Sequence, residues 1–254
     1  MIRKIMRFVR VARRQGLGEA ARLASSRAAG RPNVPPNTIE ANLEEWQHWD
    51  WADKGEEWTI SPAWKTSIVE SVLKPNVPEG CRVLEIGPGG GRWTEFLIAR
   101  AARVTAVDLT PRCIEVCRER FGSASNVDFF VNDGRDLSFL PAGQFERIWS
   151  YDVFVHIAPG DVDNYVRQFA TLLAPGGVAV IHHAKAGRFA GGWRSDMTAD
   201  KMREIASRHG LTVREQFDTW NDGAGGRAYF PTGHATPDHP ERSADIFSVL
   251  VKPS

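Results

Sequence analysis

Val83-Leu84-Glu85-Ile86-Gly87-Pro88-Gly89-Gly90-Gly91 decides the fold. An apolar run that ends in glycines reads as a buried strand breaking into a tight loop, and helical spacing follows over 92–101. Strand, glycine loop and helix together mark the place where an open α/β sheet binds its ligand. A dinucleotide fingerprint needs glycines at 87, 89 and 92, but position 92 is Arg92. What remains is acid-x-Gly-x-Gly-x-Gly, with Glu85, Gly87, Gly89 and Gly91. A carboxylate at the strand end suits a ligand carrying an ammonium group better than a pyrophosphate. The glycines let the backbone approach that ligand closely.

Outward from this loop the pattern is regular. Short strand-like runs at 82–86, 103–107, 127–131, 146–150 and 177–182 alternate with helical segments near 64–74, 92–101, 111–121, 162–173 and 198–209. Such alternation predicts an α/β fold, a mostly parallel sheet with helices on both faces. Two further strands, 211–218 and 245–251, are joined by a polar, Gly-rich loop, which predicts a closing hairpin whose last strand is antiparallel. A second acid, Asp108, ends the strand 103–107 and stands 21 residues after Gly87, where nucleotide-binding α/β folds bind ribose hydroxyls. Asn132-Asp133-Gly134 follows the next strand, where a short acceptor reaches an adenine amino group.

In these motifs the sequence resembles the class I S-adenosylmethionine-dependent methyltransferases. The match runs from about 80 to 185 and includes the turn Leu172-Leu173-Ala174-Pro175-Gly176-Gly177 before the fifth strand. The resemblance implies a Rossmann-like, seven-stranded sheet with S-adenosylmethionine as cofactor. It implies that Glu85 holds the methionine amino group and Asp108 the ribose, with Gly87, Gly89, Gly91, Asp133, Gly134 and Ser150 completing the cofactor site. A weaker resemblance, at Glu57-Trp58-Thr59 and Gly192-Trp193-Arg194-Ser195-Asp196, is to bacterial methyltransferases of glycans and secondary metabolites.

The acceptor belongs beyond strands four and five. Strand four ends in Ser150-Tyr151-Asp152-Val153-Phe154-Val155-His156, a Ser-x-Asp-x-x-x-His spacing that resembles phosphoethanolamine methyltransferases. On a helical turn Asp152 and His156 share a face, and an imidazole can take a proton from a hydroxyl. These two are the candidate catalytic residues. Tyr151, His182, His183, Trp193 and Arg194 are the candidate acceptor ligands. Period two sends His182 and His183 to opposite faces, so at most one enters the pocket. Arg194 either clamps an acceptor carboxylate or phosphate or pairs with Asp196. No metal is expected, because magnesium prefers oxygens and few acids are at hand.

The chain has 254 residues, 42% hydrophobic and 25% charged, the balance of a globular protein with ample core. No apolar run approaches the ~18 residues of a membrane span. Three cysteines without metal-ligand spacing suit a reducing compartment. Net charge is +1, but residues 1–31 hold nine Lys/Arg against Glu19 alone, leaving a mildly acidic body. Nucleic acid is therefore not expected as a partner. Arg3, Arg7, Arg10 and Arg14 share one side of a helical wheel opposite Ile2, Ile5, Phe8 and Val9. That pattern is either a solvated arm or a segment lying on an anionic membrane surface. The Arg/Ser/Ala-rich start also resembles an organellar transit peptide.

The expected organisation is a basic arm and Pro-rich linker at 1–38, a Trp-rich helical cap at 39–78 and the main domain at 79–254. Trp46, Trp49, Trp51, Trp58 and Trp64 make the cap either a packed cover or an aromatic lid. The expected function is O-methylation of a sugar, glycan or small-molecule hydroxyl, in the cytoplasm or at the inner face of the membrane. N-methylation of an amine or phosphobase is the alternative, and a non-catalytic cofactor-binding subunit is the third reading.

Overall fold

Consecutive residues of the central strands face opposite ways, and each way lies a core. In the computed structural model, which describes residues 37–185, 194–232 and 235–254, Val83 packs into one apolar cluster and Leu84 into the other. Trp149 and Ile148, and Val180 and Ala179, divide in the same way. A strand buried on both faces is what a parallel sheet covered by helices requires.

The strands are β1 Arg82–Ile86, β2 Arg103–Asp108, β3 Val127–Val131, β4 Phe145–Phe154, β5 Leu173–Ala184, β6 Thr212–Phe217, β7 Thr219–Asn221, β8 Arg227–Tyr229 and β9 Asp245–Val251. Seven of them form one sheet in the order β3-β2-β1-β4-β5-β9-β6. Parallel pairs join β3 through β5, while β9 runs antiparallel to both β5 and β6. The expected Rossmann-like sheet with an antiparallel last strand is therefore present.

Six helices are described here: α1 Ile39–Gln47, α2 Pro62–Ile68, α3 Thr94–Ile98, α4 Pro111–Phe121, α5 Pro159–Leu172 and α6 Ala199–Arg208. Their starts carry ordinary capping chemistry. Thr38 and Ser61 accept from Ala41 N–H and Trp64 N–H, Thr198 accepts from Lys201 N–H, and Pro62, Pro111 and Pro159 open their helices. α5 and α6 cover one face of the sheet through Val162, Phe169, Met202 and Ile205. α2, continued by a π-helical stretch Val69–Leu73 and a last turn Lys74–Asn76, covers the other face together with α3.

Four expectations need correction. The helix expected at 92–101 is only the five residues of α3, because 87–93 stays in the loop and its turns. Leu172-Leu173-Ala174-Pro175-Gly176-Gly177 is not a free turn, since β5 already starts at Leu173 and is irregular opposite Phe145–Arg147. The Gly-rich connection after β6 carries a two-stranded ribbon, β7 with β8. Finally, the segment 39–78 is not one cap. Ile68, Val69, Val72 and Leu73 are buried in the main core, so the cover proper is 37–58.

Within that cover, α1 and two 3-10 turns, Trp51–Asp53 and Glu56–Trp58, gather Trp46, Trp49, Trp51 and Trp58 into one cluster. Ring centroids lie 5.0 Å apart for Trp49–Trp58 and 5.6 Å for Trp46–Trp49. Trp64 lies elsewhere: its indole N–H donates to the Tyr229 carbonyl at 3.0 Å, and its ring packs on Trp220.

Candidate active site

The glycine loop turns through positive φ at Gly87 (72°), Gly89 (56°) and Gly91 (84°). At Gly87 the conformation and the space both demand glycine, because an added Cβ would sit 2.3 Å from Val153 Cγ2. The cover meets this loop directly. A Cβ on Gly89 would stand 3.1 Å from the Trp51 ring, and one on Gly90 would run into the Lys54 backbone at 2.5 Å.

Two buried carboxylates flank the loop. Glu85, at the end of β1, is 2% exposed and accepts from the Thr94 hydroxyl at 2.7 Å. Burial pushes its carboxyl up to about 8 against that hydrogen bond, and the Asp108 charge adds to the push. Asp108, at the end of β2, accepts from Gly89 N–H at 3.1 Å and from Thr110 N–H at 2.8 Å, one on each oxygen. Burial pushes it up to about 6 although both N–H groups oppose the shift.

The third loop is set differently. Asn132 carries the structure, donating to the Tyr165 hydroxyl and accepting from Gly134 N–H. Asp133 is exposed, and one of its oxygens accepts from Arg135 N–H and Asp136 N–H, which hold its carboxyl below the usual range. Gly134 is buried at φ 82° beneath Ile39 and Leu109. Ser150 does not face a ligand. It is fully buried, and its hydroxyl donates to the Ile86 carbonyl at 2.8 Å, tying β4 to β1. The sequence reading of Ser150 as a cofactor ligand is corrected by that bond.

The acceptor-side residues also rearrange. Asp152 lies in β4 at φ 64°, in the left-handed region and next to an irregularity in the ladder to β5, so no helical turn pairs it with His156. Its N–H donates to His182 Nδ1 at 3.1 Å. Its carboxylate takes Arg92 Nη2 at 3.2 Å. Burial alone would raise this carboxyl, but the Arg92 guanidinium outweighs it, with help from His182 and Arg194, and holds it down to about 2. Asp152 therefore stays ionised and is a poor proton acceptor.

His182 is 2% exposed and stacked on Tyr151, with ring centroids 4.5 Å apart and 13° between planes. Since Nδ1 accepts, the neutral ring carries its proton on Nε2. Nε2 lies 4.0 Å from the Asp245 carboxylate and has no hydrogen-bond partner among the described residues. Burial lowers this imidazole to about 4, more than Asp245 and Asp152 restore. Tyr151 is buried between His182 and Trp93, and burial raises its phenol well above the ordinary value.

His183 points to the opposite face, where its nitrogens meet the Ala184 carbonyl at 2.8 Å and the Ser248 hydroxyl at 2.6 Å. It is a core residue and no acceptor ligand. Arg194 finds a partner far along the chain. Its guanidinium bonds the fully buried Asp245 through two nitrogens, at 2.8 and 2.7 Å. His156 is half-buried in the turn after β4. Its N–H donates to the Val153 carbonyl, its carbonyl accepts from Asn42, and its ring lies 5.4 Å from Trp46.

Residues 83–177 match the family described as "Methyltransferase domain". A relative from Xanthomonas axonopodis pv. citri, "Ubiquinone biosynthesis O-methyltransferase", is 37% identical over 101 residues, 39% of this chain and 41% of that protein. The chain thus spans well under half of that relative's length. Among solved structures, a chain of the Haloferax volcanii complex between the Trm112 methyltransferase activator and a methyltransferase superposes with TM-score 0.63 at 22% identity, covering 84% of this chain and 97% of that one. The 1,6-didemethyltoxoflavin-N1-methyltransferase of Burkholderia thailandensis, solved with its substrate and S-adenosylhomocysteine, gives 0.60 at 17%, covering 89% and 94%.

Residues 83–177 carry a methyltransferase domain.

Two side chains around Tyr151 and His182 were not singled out from sequence. Arg92 is 5% exposed and lies beside the Tyr151, Trp93 and Trp58 rings. Its only signal was its place where a dinucleotide loop needs glycine. Asp245 gave no signal beyond opening a strand. Trp193 and residues 1–31 lie outside the described residues. Among the described residues no group of three His, Cys, Asp or Glu side chains is placed to hold a metal ion, and no helix is long and apolar enough to cross a membrane.

Proposed function

We propose that this protein transfers the methyl group of S-adenosylmethionine to a hydroxyl of a small-molecule or glycan acceptor. The observation that carries the reading is the pair of buried carboxylates, Glu85 and Asp108, on either side of a loop that only glycine can form. Glu85 fits the cofactor's ammonium, which would stabilise the ionised acid that burial disfavours. Asp108, its oxygens already aimed by Gly89 and Thr110, fits two ribose hydroxyls. Gly87 and Gly89 allow close approach, Gly134 supports a wall for adenine, and Asp133 has one oxygen left for its amino group.

The bound sulfonium supplies an electrophilic methyl. What the chain must add is alignment of the acceptor oxygen and removal of its proton. His156 is the proposed base. It is half-buried and lies past the end of β4 against the Trp cluster. The relatives named as O-methyltransferases support oxygen as the acceptor. The spacing that favoured N-methylation loses its Ser, which is tied to the Ile86 carbonyl.

We place the protein in the cytoplasm, with the nine basic residues of 1–31 holding it to the inner face of the membrane. Labelled S-adenosylmethionine with pools of lipid, glycan and small-molecule hydroxyls tests the activity. Label in a hydroxyl-bearing product together with S-adenosylhomocysteine is expected. Tight cofactor binding with no transfer to any pool would instead indicate a non-catalytic subunit.

A further inference from the structure

On the acceptor side Arg92 and Asp152 leave complementary atoms without partners. Arg92 Nη2 bonds one oxygen of Asp152, while Nη1 is buried and reaches no hydrogen-bond partner among the described residues. A buried, unpaired guanidinium N–H is costly, so the arrangement suits an oxygen that is added later. The Asp152 side chain is 27% exposed, and its second oxygen accepts no hydrogen bond among the described residues. That carboxylate does not drift. His182 Nδ1 holds its N–H while the backbone sits in the left-handed region, a conformation that non-glycine residues keep only when their surroundings impose it.

Charge narrows the ligand. Arg92 is balanced by Asp152 and Arg194 by Asp245, with His182 neutral between them. Within these two pairs an anionic or cationic acceptor would meet each charge already balanced. A hydroxyl supplies on a single neutral atom both a donor for the carboxylate and an acceptor for Nη1.

We propose that Arg92 and Asp152 together hold a second hydroxyl of the acceptor, adjacent to the one that is methylated. The inference rests on the methyl-transfer reading and adds the substrate class, a vicinal diol. The ionised Asp152 keeps that hydroxyl as a bound donor and does not take its proton, whereas the neighbouring hydroxyl faces the methyl and His156. The Trp58 ring of the cover lies beside this pair, its centroid 5.9 Å from the Arg92 guanidinium carbon. Arg92 and Asp152 are binding residues, and His182 is a positioning residue acting through Asp152.

A vicinal diol has two common sources, an aromatic ring and a sugar. The full chain loaded with S-adenosylhomocysteine is titrated by calorimetry with catechol against phenol, and with methyl α-mannoside against its 2-deoxy analogue. Methyl transfer to each is measured separately. A site built around a substrate hydroxyl rejects the analogue lacking it strongly, so one diol should bind at least about 100-fold better than its partner. Arg92→Lys should cut that ratio below about tenfold, and Asp152→Asn should do the same, each with unchanged affinity for S-adenosylhomocysteine.

Which pair shows the preference identifies the source. Equal binding within both pairs, no binding of either diol, or a ratio that survives both substitutions would overturn the proposal. Selective diol binding without methyl transfer would leave the Arg92–Asp152 site standing and sink the methyl-transfer reading instead.

Discussion

Replacing Glu85 with Gln should make the cofactor-free protein more stable in alkali than the wild type, and the structure sets the size of the effect. The Glu85 carboxyl rises from 4.5 in the unfolded chain to about 8 in the fold, chiefly through burial. Between those values the folded state binds the proton that the unfolded state has released, so stability falls as pH rises. From pH 6 to pH 8 this single group costs about 2 kcal/mol, since one proton taken up on folding is worth about 1.4 kcal/mol for each step of one in pH. In a protein of this size that is a fall of roughly 4 to 8 °C in melting temperature. Asp108 and the buried cysteines slope the same way, but they are present in both forms and cancel in the difference. Thermal melts of wild type and Glu85→Gln at pH 6, 7 and 8 measure it directly. S-adenosylmethionine should flatten the wild-type slope, because its ammonium favours the ionised acid, and should bind the variant more weakly. Parallel slopes for the two cofactor-free forms would refute the burial argument for Glu85, and an unchanged cofactor affinity would remove its assignment to the ammonium.

Asp108→Ala should weaken cofactor binding by roughly 1.5–3 kcal/mol for each charge-assisted bond lost, and calorimetry showing full affinity would overturn the ribose assignment. His156→Ala should lower turnover about 10²- to 10⁴-fold and erase the rising limb of the pH profile while leaving S-adenosylhomocysteine binding intact; near-full activity would move the base elsewhere. Deleting residues 1–30 should preserve turnover on a soluble acceptor and abolish sedimentation with anionic liposomes, and equal sedimentation of both forms would end the membrane reading.

The parts legible in the sequence are those set by local chemistry. A buried strand that ends at Glu85 and breaks into glycines can be read from nine consecutive residues, and period two sent His182 and His183 to opposite faces as the structure has them. What escaped depends on partners far along the chain. Arg194 finds Asp245, 51 residues on, and no local pattern announces that pairing. Asp152 looked helical because its spacing to His156 is four, yet a hydrogen bond to His182, 30 residues away, belongs to a left-handed turn instead. Tryptophan density located the cover, but only packing shows that Trp64 and α2 belong to the main core.

The position of β9 has a consequence for how this protein is made. It is the last of the strands along the chain, yet it lies between β5 and β6 in the sheet. A chain emerging from the ribosome presents β6 before its sheet partner exists, and β5 then ends the sheet as an open edge of unpaired N–H and C=O groups. Asp245 is absent for the same interval, so its two bonds to the Arg194 guanidinium are not yet made and the wall beside His182 is unfinished. Sheet closure and assembly of the Arg194–Asp245 wall are therefore one event, completed when synthesis reaches residues 245–251. The half built from β1, β2 and their loops, where Glu85 and Asp108 lie, is free to form well before it.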